Sequence, residues 1–245
     1  VLSLSKLTDP EIFVDQNAKE VLSPVGITLE TLRDKVLKCT KNKLYYPVDP
    51  TSRYDAYVGG TLSCNASGFI PGERGATRYW VNEIELILPS GHYIKAKRGE
   101  YISQSGNFKL KINNEQIILP VPRYKRPNIK NASGPYSSEN GEIDFVDLII
   151  GSEGLYGIII SCKLKLEERP KEYLELFLCL NNEEKAIDFH DFLYNYFKGK
   201  MNRISALEYF GYNSQKYMKH REFLFKNDKD VGIYIQIPIY NSSLD

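Results

Sequence analysis

The chain has 245 residues, with 32 Lys and Arg against 31 Asp and Glu, and 42% of its residues are hydrophobic. This composition is typical of a folded globular protein and excludes disordered, collagen-like and low-complexity chains. The formal net charge of +1 lacks the basic surplus that non-specific nucleic-acid binding requires, so nucleic acid is not an expected partner. The length accommodates one large domain or two of moderate size.

Cysteine and histidine usage gives no sign of a metal site. None of the cysteines lies at C-x-x-C spacing, and His92, His190 and His220 are isolated. We therefore expect free thiols in a reducing compartment and a cytoplasmic location. The most apolar run, residues 147–162, is interrupted by glycines and by Glu153, so no transmembrane segment is expected. The cysteines are Cys39, Cys64, Cys162 and Cys179.

The first 170 residues predict short strands and two helices. Thr28 is a suitable N-cap for a helix over 29–39, in which apolar residues recur at helical spacing. A second apolar run with helical spacing covers 143–150. Residues 47–79 lack a regular pattern, which is typical of a functional or disordered stretch. Strands are predicted at 1–6, 11–15, 19–22, 44–46, 81–88, 93–97, 107–112, 116–119 and 158–166.

A charged segment with Pro170, residues 167–171, predicts a domain boundary, so that the domains cover 1–169 and 170–245. Beyond it the pattern is β-α-β-α-β, which predicts a second α+β layer. Because the chain begins at Val1 and stops at Asp245 without a clear cap, we expect both ends to continue in the natural protein. The strands are predicted at 173–180, 204–209 and 231–239, and the helices at 182–198 and 213–226.

Two glycine-rich segments are candidates for ligand binding. In the first, 59–68, paired glycines allow a ligand close to the backbone, and a helix that started at Gly60 would offer its N–H groups to a phosphate. It matches neither G-x-G-x-x-G nor the P-loop, and by itself it fits an ordinary tight loop better. The glycines of the second segment, 151–157, have two equally good explanations. The segment could pack against a flat or phosphorylated ligand, or it could form a turn that needs positive φ angles.

A third segment, 126–134, repeats the Asn-Ala-Ser-Gly string of the first. Its Asn-x-Ser sequon favours glycosylation only in a secreted protein, and no secretory signal is present. The adjacent basic cluster could receive an anionic substrate, although such a cluster is more often a solvated loop. The cluster consists of Arg123, Lys125, Arg126 and Lys130.

The ordered set of motifs is more specific than any single loop. It runs through 24–28, 46–50, 59–60 with 65–68, 74–77, 81–91, 130–134, 147–154 and 157–159. This set resembles the FAD-binding domain of the vanillyl-alcohol oxidase and p-cresol methylhydroxylase type. Among such proteins it is most similar to the FAD-linked oxidases, the group of the glycolate oxidase subunit, D-lactate dehydrogenase and D-2-hydroxyglutarate dehydrogenase. The resemblance covers roughly 1–169, and 173–239 resembles more weakly the start of that family's substrate-capping domain.

The resemblance implies an α+β fold, namely the second subdomain of such an FAD-binding domain followed by the start of an α+β cap domain. It implies FAD as cofactor. The backbone of 59–61 would contact FAD, residues 65–68 would lie near its flavin ring and ribityl chain, and residues 153–159 would line its adenosine portion. Catalytic residues are not assigned. The implied cofactor-binding residues are Pro50, Gly59, Gly60, Thr61, Asn65, Ser67, Gly68, Gly75, Thr77, Glu153, Gly154, Gly157, Ile158 and Ile159.

Three departures from the family pattern bear on activity. The family's pyrophosphate loop would precede residue 1, its His-rich metal motif would follow residue 245, and Leu155-Tyr156 replaces the usual Thr-Leu. The resemblance implies an FAD-dependent oxidoreductase that oxidises a small 2-hydroxy acid by hydride transfer to flavin. The 245 residues alone are expected to bind FAD weakly and to be inactive. The alternatives are a non-redox or degenerate binding module, and another FAD-linked branch such as an alkyl-dihydroxyacetone-phosphate-synthase-like enzyme. Substrate identity, electron acceptor, flavin linkage and oligomeric state stay open.

Overall fold

A computed structural model of the chain describes residues 3–112, 115–121 and 141–240. The chain divides into two compact units. The first consists of residues 1–68 and 73–169, and the second consists of residues 69–72 and 170–245. Both contain helices and strands, so the mixed α/β character expected from the sequence is confirmed.

The first unit is organised around a five-stranded antiparallel sheet with the strand order β1-β2-β8-β4-β5. The central strand β8 begins with three isoleucines, and β-branched residues pack well on a pleated surface. Its described residues also form a short strand pair, β3 with β9, and a hairpin, β6 with β7. The strands are β1 Phe13–Asp15, β2 Glu20–Pro24, β3 Leu44–Tyr45, β4 Val81–Ile87, β5 Tyr93–Lys97, β6 Asn107–Ile112, β7 Glu115–Pro120, β8 Ile158–Lys165 and β9 Glu167–Glu168.

Helix α1, Leu29–Cys39, forms as predicted, because the Thr28 side chain accepts a hydrogen bond from the Thr31 N–H and Leu32 and Val36 are buried. Residues 47–79 contain more regular structure than predicted, since Val58 and Leu62 bury one side of a short helix despite the intervening glycines. The other helices of this unit are α2 Val58–Ser63, α3 Thr77–Trp80 and α4 Phe145–Ile149, with a 3₁₀ turn at Glu73–Gly75.

The second unit is a three-stranded antiparallel sheet with the order β10-β12-β11. Buried Ala186 and Leu193 of α5 belong to the apolar clusters that α5 forms with this sheet. The elements are β10 Glu172–Leu180, α5 Glu183–Tyr196, β11 Ala206–Phe210, α6 Arg221–Leu224 and β12 Val231–Ile239, with 3₁₀ turns at Met201–Arg203 and Tyr212–Tyr217.

Two predicted elements are wrong. Residues 3–6 of the predicted first strand form no strand, and residues 5–6 lie in a turn. The helix predicted over 213–226 is interrupted at His220, which adopts a left-handed conformation with φ of 59°. Buried Gln215 anchors this stretch through its side-chain amide, which donates to the Asn227 and Asp230 carbonyls, and a single buried polar residue does not provide the apolar stripe of a helix.

In the part of the chain that the structure describes, no helix combines the length and the apolar composition needed to cross a bilayer. The third glycine-containing segment, 126–134, the basic cluster at 123–130 and the hairpin tip at 113–114 lie outside the described residues.

Candidate functional site

The two glycine-rich segments meet at a cavity of about 310 Å³ in the first unit. One segment contributes the first turn of α2, and the other contributes the turn that leads into β8, so residues almost a hundred positions apart share one site. This volume is at the lower end of the range of ligand pockets, roughly 300–1,000 Å³, and suits one portion of a dinucleotide. The predicted residues that line it are Gly59, Gly60, Gly154, Gly157, Ile158 and Ile159.

Backbone hydrogen bonds fix the walls of this glycine pocket. The Glu153 N–H donates to the Ser63 carbonyl at 3.0 Å, and the Gly151 N–H donates to the Leu62 carbonyl at 3.0 Å. At the other end of α2, the Gly59 N–H donates to the Val25 carbonyl at 3.0 Å. The short helix is therefore held between the end of β2 and the turn before β8, which presets the geometry of the pocket.

Two of the pocket glycines are required by packing. A Cβ atom on Gly59 would approach the Val25 Cβ to 2.9 Å, and one on Gly157 would lie 2.6 Å from the Ile87 carbonyl oxygen. In the turn itself, Gly151, Glu153 and Gly154 all have positive φ angles. The positive-φ interpretation of residues 151–157 is thus confirmed, while contact with a ligand stays a prediction.

Gly60 differs from these packed glycines. A Cβ atom there would meet no atom within 4 Å, and the residue is exposed at the pocket. Its N–H makes no hydrogen bond to any residue in the described ranges, because Gly60 lies in the first turn of α2, where N–H groups have no partner within the helix. The helix begins at Val58, two residues before the start at Gly60 that the sequence left open. The position therefore offers a free donor and open space, which is what close approach of a ligand to the backbone requires.

The remaining predicted residues support the loop and do not line the glycine pocket. The Thr61 hydroxyl donates to the Val58 carbonyl, and the Thr77 hydroxyl donates to the Ala66 carbonyl, each at 2.8 Å. A Cβ atom on Gly68 would lie 2.5 Å from the Asp49 nitrogen, so that glycine is also needed for packing. Those outside the lining are Pro50, Thr61, Asn65, Ser67, Gly68, Gly75, Thr77 and Glu153.

Asn65 has a structural role as well as a place in a different cavity. It is fully buried with a φ of 48°, and its side-chain oxygen accepts a hydrogen bond from the Arg78 N–H at 2.8 Å. This bond ties the end of α2 to α3. Asn65 lines a second, polar cavity together with Arg78 and Arg98.

Sequence reasoning missed six pocket residues, namely Ser3, Leu4, Ser5, Val25, Tyr57 and Ser63. Ser63 could have been found, because it lies three positions after Gly60 and a helix would place both on one face. Tyr57 is the N-cap residue of α2 and carries no motif that distinguishes it from the other 17 tyrosines.

Residues 1–97 match the FAD binding domain family. With the similarity to FAD-linked dehydrogenases described next, this match confirms the resemblance drawn from the sequence and indicates FAD as the cofactor.

The chain is 27% identical to a D-2-hydroxyglutarate dehydrogenase of Xanthomonas citri pv. viticola, over 86% of this chain and 35% of the relative. It is 30% identical to a D-lactate dehydrogenase of Anaerostipes hadrus, over 64% of this chain and 25% of the relative. The chain thus spans about a third or less of these curated relatives. A solved alkyldihydroxyacetonephosphate synthase superposes with a TM-score of 0.61 over 97% of this chain and 38% of its own, at 14% identity, which shows a shared fold.

Proposed function

We propose that the chain is part of an FAD-dependent oxidoreductase that oxidises a small 2-hydroxy acid, of the D-lactate, glycolate or D-2-hydroxyglutarate kind. The observation that carries the proposal is the meeting of the two glycine-rich segments at one pocket, where the resemblance expects FAD. The dehydrogenase names of the relatives support the substrate class. When bound, flavin would supply the hydride acceptor, and the protein would supply position and electrostatics.

The residues of the pocket fit a portion of FAD. The Gly60 N–H, unpaired among the described residues, is suited to a phosphate or ribityl oxygen, and a Cβ atom there would meet no described atom within 4 Å. Ile158 is 37% exposed and Leu155 is 77% exposed, so apolar surface is available at the strand entry for a flat ring. In this proposal Gly59, Gly60, Gly154 and the two isoleucines hold the cofactor, whereas Thr61, Gly68 and Thr77 keep their loop in shape.

The test is retention of FAD after incubation and desalting by a protein extended to the full length of the relatives, because the 245 residues alone are expected to bind FAD weakly. Retention is read as the flavin absorption band at ~450 nm. We expect Gly60→Trp to abolish retention, because the indole would occupy the open space that the glycine leaves. The matched control is Lys38→Trp on the exposed side of α1, which adds the same bulk to the same unit away from the pocket. Equal retention in Gly60→Trp and in the unchanged chain would overturn the assignment of the site.

The reaction itself is tested on a protein extended to the full length of the relatives. We expect reduction of bound flavin by D-lactate, glycolate or D-2-hydroxyglutarate, and none by an acyl-dihydroxyacetone phosphate. Turnover of the acyl substrate alone would favour the ether-lipid alternative. A flavin-loaded protein that no 2-hydroxy acid reduces would overturn the proposed substrate class while leaving the FAD site intact.

We also propose a cytoplasmic location, which the free state of all four cysteines supports. Cell fractionation tests it, and recovery of the protein from an oxidising compartment would contradict it.

A further inference from the structure

The first unit holds a polar cavity of about 210 Å³ that shares no lining residue with the glycine pocket in the described parts of the chain. Its charged lining consists of three cationic and two acidic side chains, so the cations exceed the acids by one. The aromatic ring of Tyr79 forms part of the wall. The charged residues are Arg78, Arg98, Lys165, Glu73 and Asp147.

The two arginines of this polar cavity are held in place by the surrounding backbone. The Arg98 side chain donates to the Val81 and Arg78 carbonyls, each at 2.8 Å, and to the Asp147 carboxylate at 2.9 Å. Arg78 is only 7% exposed, and one of its guanidinium nitrogens donates to the Ile150 carbonyl at 2.6 Å. Both guanidinium groups are therefore positioned before any ligand arrives, which lowers the entropic cost of binding.

Lys165, the last residue of β8, has a different environment. Its ammonium nitrogen lies 4.1 Å from the centroid of the Tyr79 ring, and no carboxylate in the described parts of the chain lies within ion-pair distance of it. Burial lowers the pKa of this lysine, and the positive charges of Arg98 and Arg74 lower it further, whereas the Asp147 carboxylate acts in the opposite direction. A half-buried ammonium beside other cations is stabilised by an anion that enters the cavity.

We propose that the polar cavity binds a small monocarboxylate anion at Lys165, with the fixed Arg98 beside it and the Tyr79 ring against the apolar end of the ligand. A single negative charge matches the excess of one cation. The volume accommodates only a few heavy atoms besides the carboxylate, and a planar guanidinium matches carboxylate geometry. Asn65, one of the implied cofactor-binding residues, also lines this cavity. Acetate binding at Lys165 is measured without FAD, so its failure is distinguishable from failure of FAD retention.

The affinity is measured by equilibrium dialysis of the chain against radiolabelled acetate at constant ionic strength. We expect saturable binding that Lys165→Gln weakens at least about tenfold, because a charge-assisted hydrogen bond is removed. Lys165→Arg keeps the charge and should remain within about threefold of the unchanged chain. Lys38→Gln, on the exposed surface of α1, is the matched control and should bind as the unchanged chain does.

A second measurement keeps the proposal falsifiable if Lys165→Gln does not fold. In the unchanged chain with ¹³C-dimethylated lysines, the Lys165 methyl resonance should shift saturably with acetate, while the Lys38 resonance should not. Absence of a Lys165 shift, unchanged acetate affinity in a folded Lys165→Gln, or equal displacement of acetate by chloride would each overturn the proposal.

Discussion

The two compact units bury their apolar residues in different ways. In the first, one continuous cluster joins α1, the five-stranded sheet and α4, and includes fully buried Leu32, Ile84 and Val146. In the second, six of the buried apolar residues form two small groups. One group consists of Ala186, Val231 and Ile233, and the other consists of Leu193, Ile204 and Ile235.

The exposed side chains of α5 contrast with the packed residues of the glycine pocket. Helix α5 exposes large side chains, with Phe192 at 60% and Tyr196 at 70% exposure, stacked on each other with ring centroids 6.0 Å apart. The glycine pocket instead lies against the apolar core of the first unit, where Gly59 and Gly157 pack closely against backbone and side-chain atoms. The comparison teaches that the backbone geometry of a ligand site is built where the surrounding core permits little movement.

The largest expected effect comes from the core of the first unit. Phe145 is 1% exposed, and its ring packs edge to face on Phe108 with centroids 5.5 Å apart. Phe145→Ala should lower the free energy of unfolding by about 3–5 kcal/mol, because it leaves a cavity. Urea unfolding measures the loss. Phe192→Ala in the second unit is the control and should stay within about 0.5 kcal/mol, and equal losses would break the comparison.

A smaller effect is expected from the pocket glycines. Gly157→Ala should lower stability by about 1–3 kcal/mol, since the new methyl group meets the Ile87 carbonyl and φ is +154°. Gly60→Ala has open space and a helical position, so it should leave the unfolding midpoint unchanged or raise it slightly. Thermal unfolding of the two variants distinguishes packing from ligand approach. A destabilised Gly60→Ala would show that its space is not open.

The cap of α5 tests whether the second unit opens by itself. The Asn182 side chain accepts a hydrogen bond from the Lys185 N–H at 3.0 Å. Asn182→Ala should destabilise the helix by about 1 kcal/mol. Hydrogen exchange should then accelerate at α5 amides and stay unchanged at β8 amides. Equal acceleration in both places would mean that the units open together.

The smallest effect concerns pH. Burial raises the pKa of Glu167 above its ordinary value of 4.5, although Arg74 and the Tyr45 hydroxyl act in the opposite direction. The folded state therefore binds this proton more readily than the unfolded state. The Glu167 contribution to stability should rise as the pH falls from neutral towards 4.5. The unfolding midpoints of Glu167→Gln and of the unchanged chain are compared over this pH range to isolate the contribution. A midpoint difference that does not vary with pH would contradict the raised pKa of Glu167.

The sequence predicted most elements of both units for identifiable reasons. Thr28 and the apolar spacing after it define α1, and the isoleucines from 158 onward define β8. The helix expected over 213–226 failed because no apolar stripe supports it and His220 takes a left-handed conformation. Helix α2 was missed because its two glycines have a low helix propensity. The helix is stabilised by burial of Val58 and Leu62, which the sequence pattern does not reveal.

For the candidate site, the sequence alone determined the glycines, their order along the chain and, through that order, the resemblance to a flavin-binding family. Only the tertiary structure decided that residues 59–60, 154 and 157–159 line one cavity while Thr61, Gly68 and Thr77 lie elsewhere. It also decided that Lys165, Arg78 and Arg98 line a separate cavity. The physical reason is that local sequence sets φ preferences and helix caps, whereas strand order and packing determine which distant segments meet.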